Sequence, residues 1–432
     1  MNYSKTAAFL LLLMLFAANF SFAQTPPTKQ EKLLNGLKVL IWNEPKAEKV
    51  SLRLRVHSGS AFDPKDKMGT MALLADILFP DEQTRRFFEE DLEGSLEVTS
   101  NYDYIQINAT AKSDDFLTIL ETIATAVANP PITQENFVKV RDARLKSVEE
   151  MQKNPAYLAD MAVAKRLLGE FPYGRPQAGT PESLKLIDRA DLLTARDRFF
   201  TADNATIAVT GNVKPDFAYM AARRLFGAWK KADKLVPATF RQPDSPQAGL
   251  PVLDSPVQKT SEFRIALRGV ARNDKDFYAS QVLQKILQNR LQLREGKNAF
   301  VRQDIHLLPG LLVFGVSEWN LGLIKKDGNT IALPNMDGYQ NYFLKDAVKP
   351  EEFEKAKSEF LAEFSRTSQT DFWLDADTFK LSAPKTELQT AQNITIADAQ
   401  KVLERLRKEP VAMILLFSDD ASSVKSAPTG DH

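Results

Sequence analysis

Asp63 to Phe79 reads DPKDKMGTMALLADILF. Asp63, Pro64 and Gly69 form the approach to a run in which Met68, Met71, Leu73, Leu74, Ile77, Leu78 and Phe79 supply the apolar side chains of a buried helix. Positions 75 and 76 lie three and four residues after 72, so each neighbours position 72 on one side of the helix. Two imidazoles and a carboxylate at that spacing can reach one ion and polarise its water. Here the positions hold Ala72, Ala75 and Asp76. Alanine has no lone pair to offer, and one aspartate falls short of the roughly three protein ligands a catalytic zinc requires. The helix reads as a packing element, and no metal is expected on it.

Outside this stretch the composition narrows the classes further. With 432 residues, 44% hydrophobic and 26% charged, the chain exceeds one ordinary core, and two or more domains are expected. Basic and acidic residues number 56 each, so no net field recruits nucleic acid or an anionic surface. The absence of cysteine excludes disulfides, thiolate metal sites and cysteine nucleophiles. Three histidines, His57, His306 and His432, leave little for a zinc site or a Ser/His/Asp triad; His57 and His306 read as strand-end residues. Neither a nucleophile elbow nor a phosphate loop is recognisable.

The N-terminus, MNYSKTAAFLLLLMLFAANFSFAQ, places Lys5 before an apolar run from Ala7 to Ala18 and a small-x-small site at Ser21-Phe22-Ala23. This predicts a secretory signal over residues 1–23 cleaved near Ala23, and hence a periplasmic or extracellular protein. The run is short for a membrane span and TPPTKQEK after it offers no stop-transfer pattern, so no stable span is expected in the mature chain.

A lead segment, 24–32, precedes a first domain over 33–231. In it, strands are expected around LLNGLKVLIWNEP, at VSLRLRV (half-exposed, from its alternation), at Leu96 to Ser100, Tyr104 to Ala109 and Ala205 to Val213. Helices are expected from Asp114 to Asn129 and from Thr133 to Leu168 with a break at Asn154-Pro155, and another opens at Thr180-Pro181. The Pro-rich, charged stretch 232–257 is the linker. A second domain, 258–432, repeats the grammar: a strand at Glu262 to Leu267, a helix at Asp276 to Leu287, a strand after His306, helices at Pro350 to Ser365 and Ile394 to Leu406, and a strand at Val411 to Phe417. The expected class is α+β: two related domains, each an antiparallel-rich mixed sheet packed with helices.

From Leu33 to Phe417 the chain resembles the insulinase/pitrilysin family of inverted zincins. The landmarks come in family order: NGLKVL; Gly59, Ser60, Asp63, Pro64 and Gly69 of G-S-x-x-D-P-x-x-x-x-G; LEGSLEVTSNYDY; FPYGRPQAGTPESL, similar to H-P-Y-G-x-P-x-x-G-T-x-E-x-L; NATIAVTGNV; and FGAWK. The resemblance implies a clam-like half of a peptidase chamber whose zinc helix carries H-x-x-E-H, the positions held here by Ala72, Ala75 and Asp76. The family's third ligand is a glutamate after a pattern like E-R-x-x-V-x-x-E; aligning Arg141 to Ala143 puts Ser147 there, and a slip of register would put Glu149 or Glu150. A second-domain segment resembling R-L-x-x-x-L-R-E-x-x-G-L-A-Y directs an arginine and a tyrosine at the substrate carbonyl. In NRLQLREGKNAFV, Arg294 matches the arginine, Phe300 replaces the tyrosine, and Gln288 stands where a glycine pair is expected. Arg294 could equally be a surface arginine paired with Glu295.

Three functions follow as expectations. The first is a non-catalytic subunit that forms a heterodimer with an exported H-x-x-E-H homologue and helps it to bind peptide, zinc being held by the partner chain alone. The second is a homo-oligomeric structural or peptide-binding scaffold. The third, an autonomous enzyme, is opposed by the missing ligands.

Overall fold

The structure, a computed structural model, describes residues 25–234, 236–257, 260–318 and 344–418, with the backbone of 324–326 and 330–332. The signal segment and His432 lie outside the described residues. β1 (Lys29–Lys32), β2 (Lys38–Asn43), β3 (Lys49–Val56), β4 (Ser95–Ser100), β5 (Ile105–Lys112) and β6 (Ala205–Gly211) form one sheet in the order β1-β2-β6-β3-β5-β4. β7 (Val252–Asp254), β8 (Thr260–Arg268), β9 (Ala299–Gln303) and β10 (Leu311–Ser317) precede a separate hairpin of β11 (Ile324–Lys326) and β12 (Thr330–Ala332). With β13 (Val411–Ser418) they make a second sheet in the order β7-β13-β8-β10-β9.

Without β1, the two sheets match strand for strand. The pairs β2–β6 and β7–β13 are parallel at corresponding places, and the remaining neighbours are antiparallel. The repeat expected from the order of elements is therefore carried by topology, which needs only the hydrophobic pattern and not residue identity.

The helices are α1 (Thr70–Asp76), α2 (Phe116–Ala128), α3 (Gln134–Met151), α4 (Pro155–Leu168), α5 (Pro181–Leu186), α6 (Arg189–Phe199) and α7 (Pro215–Phe226) in the first half. The second half has α8 (Phe277–Glu295), α9 (Pro350–Phe364), α10 (Gln369–Phe379), α11 (Pro384–Gln392) and α12 (Ile396–Leu406). Asn154 accepts hydrogen bonds from the first turn of α4 with Pro155 at its start, which is why the long helix breaks there. Thr180 and Ser183 form a capping box at α5.

One face of the first sheet buries Val39, Ile41, Leu52, Leu54 and Ile107 under α1, α2 and α7. The second sheet buries Ile265, Leu267, Val301 and Leu415 under α8, α9 and α12. The opposite faces are covered by exchange. From the first half, α4 lays Val163 and Leu167 on Ala266, Val313 and Ile414. From the second, α10 lays Leu374 on Leu40, Trp42 and Ala208.

This exchange corrects the reading of VSLRLRV. β3 is central, and its arginines turn to the second half instead of open water: Arg55 is only 2% exposed and bonds Asp375 of α10 at 2.6 Å, and Arg53, half-buried, pairs with Asp371. Two boundaries also shift. Lys29–Lys32 of the lead segment pairs with β2, and Val252–Asp254 of the linker pairs with β13.

Candidate functional site

The zinc-helix position begins at Gly69, whose φ of 95° is a left-handed conformation natural to glycine; a Cβ there would lie 2.9 Å from the Ala178 carbonyl oxygen. Asp63 closes the start of α1 by accepting the Gly69 N–H at 2.7 Å and the Met71 N–H at 2.8 Å. Arg175 donates to the Asp63 carbonyl at 3.1 Å. Burial pushes the Asp63 carboxyl up to about 7 against these hydrogen bonds and the Arg175 charge. Since its folded value lies above the unfolded 3.8, its contribution to stability is full at low pH and is lost as the pH rises through about 7. Asp63→Ala strands two buried N–H groups, and a loss of about 1–3 kcal/mol is expected in a denaturant titration; a change under about 0.5 kcal/mol would show that Asp63 does not cap α1.

On α1 itself, Ala72 and Ala75 are buried and Asp76 is half-buried. Asp76 is bound by both arms of Arg144 from α3, with Nε at 2.9 Å and Nη2 at 2.6 Å. Burial raises the Asp76 carboxyl and Arg144 pulls it back. Ser147 lies one turn further along α3 and is exposed, as are Glu149 and Glu150, the latter paired with Lys153 at 2.6 Å. Arg144 falls on the valine of V-x-x-E, so a guanidinium bridges the two helices beside the position where the family pattern assembles its ligands. Sequence reasoning missed this bridge. Its signal was an arginine three residues before Ser147. Among the described residues no group of three His, Asp or Glu could hold a metal.

Beside α1 runs β4, an edge strand paired only with β5 among the described residues, from Ser95 opposite Thr110 to Ser100 opposite Ile105. Its other edge leaves backbone donors and acceptors without a neighbouring strand.

In the second half, α8 runs past its expected end, so Arg294 sits in a last helical turn with its Nε 2.8 Å from Glu295. Phe300 lies on edge strand β9 opposite Gly315, and its ring fills the space a Cβ on Gly315 would enter, 2.2 Å away. The Arg264 guanidinium lies 4.9 Å from that ring centroid and is buried, with Glu262 at 2.9 Å and Asp160 of α4 at 2.6 Å. Phe300 thus serves as a packing surface. Gln288 ties α8 to β9, donating to the Ala299 carbonyl at 3.1 Å and accepting the Val301 N–H.

The two histidines join the halves. His57 meets Thr206 and Thr378 at 3.0 Å each, and burial with Lys380, Arg55 and Lys38 nearby drives its pKa well down. His306 Nδ1 lies 2.9 Å from Asp103, whose other oxygen accepts the Tyr173 hydroxyl at 2.7 Å.

The chain belongs to the insulinase family, Peptidase family M16: residues 38–181 match that family and residues 186–317 match the Peptidase M16 inactive domain. It is 26% identical over 216 residues to an uncharacterized zinc protease of Rickettsia felis, covering 48% of this chain and 52% of that one. The chain spans about half the length of curated relatives it matches. In fold it is similar to the Peptidase M16 inactive domain from Pseudomonas fluorescens, with TM-score 0.77, 19% identity and coverage of 92% of this chain and 98% of that one. It is also similar to the periplasmic protease PqqL from Escherichia coli, with TM-score 0.67, 15% identity and coverage of 93% and 49%. Among the described residues no helix is long and apolar enough to cross a membrane.

Proposed function

We propose that this chain is the non-catalytic subunit of an exported, two-subunit insulinase-like zinc peptidase, with the zinc held only by an H-x-x-E-H partner. The observation that carries this reading is the state of the α1 face: Ala72 and Ala75 supply no ligand and Asp76 is committed to Arg144, while both halves of the fold are intact. In such a pair the chain supplies chamber wall and the β4 edge, to which an extended peptide adds as a strand through backbone groups. Arg294 is the candidate donor to the substrate carbonyl. Export rests on the signal-like N-terminus, and the likeness to a periplasmic protease accords with it.

Co-expression with an exported H-x-x-E-H homologue from the same source tests the reading. A complex on size-exclusion chromatography is expected, with peptidase activity about tenfold or more above the partner alone. Two separate peaks and unchanged activity would reject it. One observation favours the second reading, a homo-oligomeric scaffold: Phe300 is packed between Gly315 and Arg264 and has no donor to offer. That reading predicts a homodimer that ignores the H-x-x-E-H chain.

A further inference from the structure

Between the halves, where the β4–β5 turn and α4 meet the segment joining β9 to β10, lies a cleft of about 500 Å³. Its wall carries the rings of Tyr102, Tyr157, Tyr173 and His306, with Met161 beside them. The His306 and Tyr173 centroids are 4.3 Å apart, and Tyr102 stands edge-on to both at 5.2 Å. Burial raises the Tyr102 and Tyr173 hydroxyls, which stay neutral, and both are spent as donors, to the Arg175 carbonyl and to Asp103, each at 2.7 Å.

The charges in the wall satisfy one another. Arg302 bonds Asp160 at 2.8 Å and Asp304 at 2.9 Å, and Asp160 also receives Arg264. A cationic guest would find these carboxylates already paired. His306 is different. Asp103, 7% exposed, takes the Nδ1–H, which sets the tautomer that carries its lone pair on Nε2. Nε2 has no hydrogen-bond partner among the described residues, and it is not among the atoms sealed from solvent. The cleft is therefore an aromatic-walled cavity in which one ring acceptor is fixed from behind, beside the more mobile amides of Gln177 and Gln303, and a fixed acceptor among rings is how a small site selects a ring bearing a donor.

We propose that this cleft takes the side chain of a tyrosine or tryptophan from an extended peptide that runs off the end of β4, its O–H or N–H donating to His306 Nε2. The strand ends at Ser100, and Asn101 and Tyr102 at the cleft follow directly, so a peptide paired with β4 is delivered to it. The peptide part rests on the function proposed above, and the cleft chemistry can be tested without it. Phenylalanine fills the same space and lacks the donor; lysine and arginine bring a charge with no partner waiting.

The test titrates the full chain with N-acetyl-tyrosinamide and N-acetyl-phenylalaninamide by ligand-observed NMR, then with unstructured ten-residue peptides carrying one Tyr, Phe or Lys. Tyrosine is expected to bind about tenfold tighter than phenylalanine, the factor one added hydrogen bond supplies. His306→Leu should erase that difference. Because it also strips Asp103 of a partner, Met161→Trp is the second variant: it fills the cleft, leaves the Asp103–His306 pair untouched, and should weaken both amides about tenfold or more. Equal binding of the two amides, or binding unaffected by Met161→Trp, overturns the proposal. If those peptides still bind without aromatic preference, the reading of β4 survives and the cleft assignment fails. Selective binding of the amide without the peptides supports the cleft assignment and overturns the reading of β4.

Discussion

A variant carrying Ala72→His, Ala75→Glu, Asp76→His and Ser147→Glu is expected to bind zinc poorly until Arg144→Val is added, after which micromolar or tighter binding should appear. The four substitutions restore three ligands and the general base of H-x-x-E-H with its distant glutamate. They also remove the carboxylate that holds Arg144. The guanidinium then stands beside the incoming dication. At about 5 Å and an effective dielectric of about 40, that repulsion is on the order of 3 kcal/mol. It corresponds to about 100-fold in affinity. Chelator competition measures it directly. Equal affinity with and without Arg144→Val would show that the arginine is no obstacle. A folded five-fold variant that takes up no zinc would show that Ser147, or the chosen helix face, is misassigned.

The second large effect is expected at the seam. Arg264→Ala should cost about 3–5 kcal/mol, the range for removing one partner of a buried ion pair. Arg264 is 1% exposed and stacks on Phe300; its removal leaves Glu262, itself 9% exposed at the side chain, without that guanidinium and cuts one of two arginine bonds to Asp160. Since Asp160 belongs to α4 of the first half, the loss falls on the contact that binds the halves together. Arg264→Met keeps an apolar stem against Phe300 and should cost less than Arg264→Ala. Denaturant unfolding of the three chains checks the order. A cost below about 1 kcal/mol for Arg264→Ala would mean that the carboxylates find water or other partners freely.

Most of the sheet framework was legible because alternation and caps are local. Asn35-Gly36, Asn154-Pro155 and Thr180-Pro181 mark ends that the structure places where their backbone chemistry requires. Long-range coverage was not legible. VSLRLRV reads as half-exposed because arginines alternate with apolar residues, and only the carboxylates of α10 make that face an interior one. Neither α10 nor α11 was anticipated, and α10 pairs its side chains with residues more than three hundred positions away. At the site, what is missing could be read directly: Ala72 and Ala75 cannot ligate. What replaced it could not, since the Asp76–Arg144 bridge joins helices 68 residues apart. The cleft was hidden for the same reason, its acceptor and the aspartate behind it being 203 residues apart.

Zinc content of the purified, full chain after incubation with excess zinc and gel filtration tests the central claim most directly. The account predicts far less than one zinc per chain by elemental analysis, unchanged by Asp76→Ala. Near-stoichiometric zinc that disappears with Asp76→Ala would place a metal on the α1 face and contradict it.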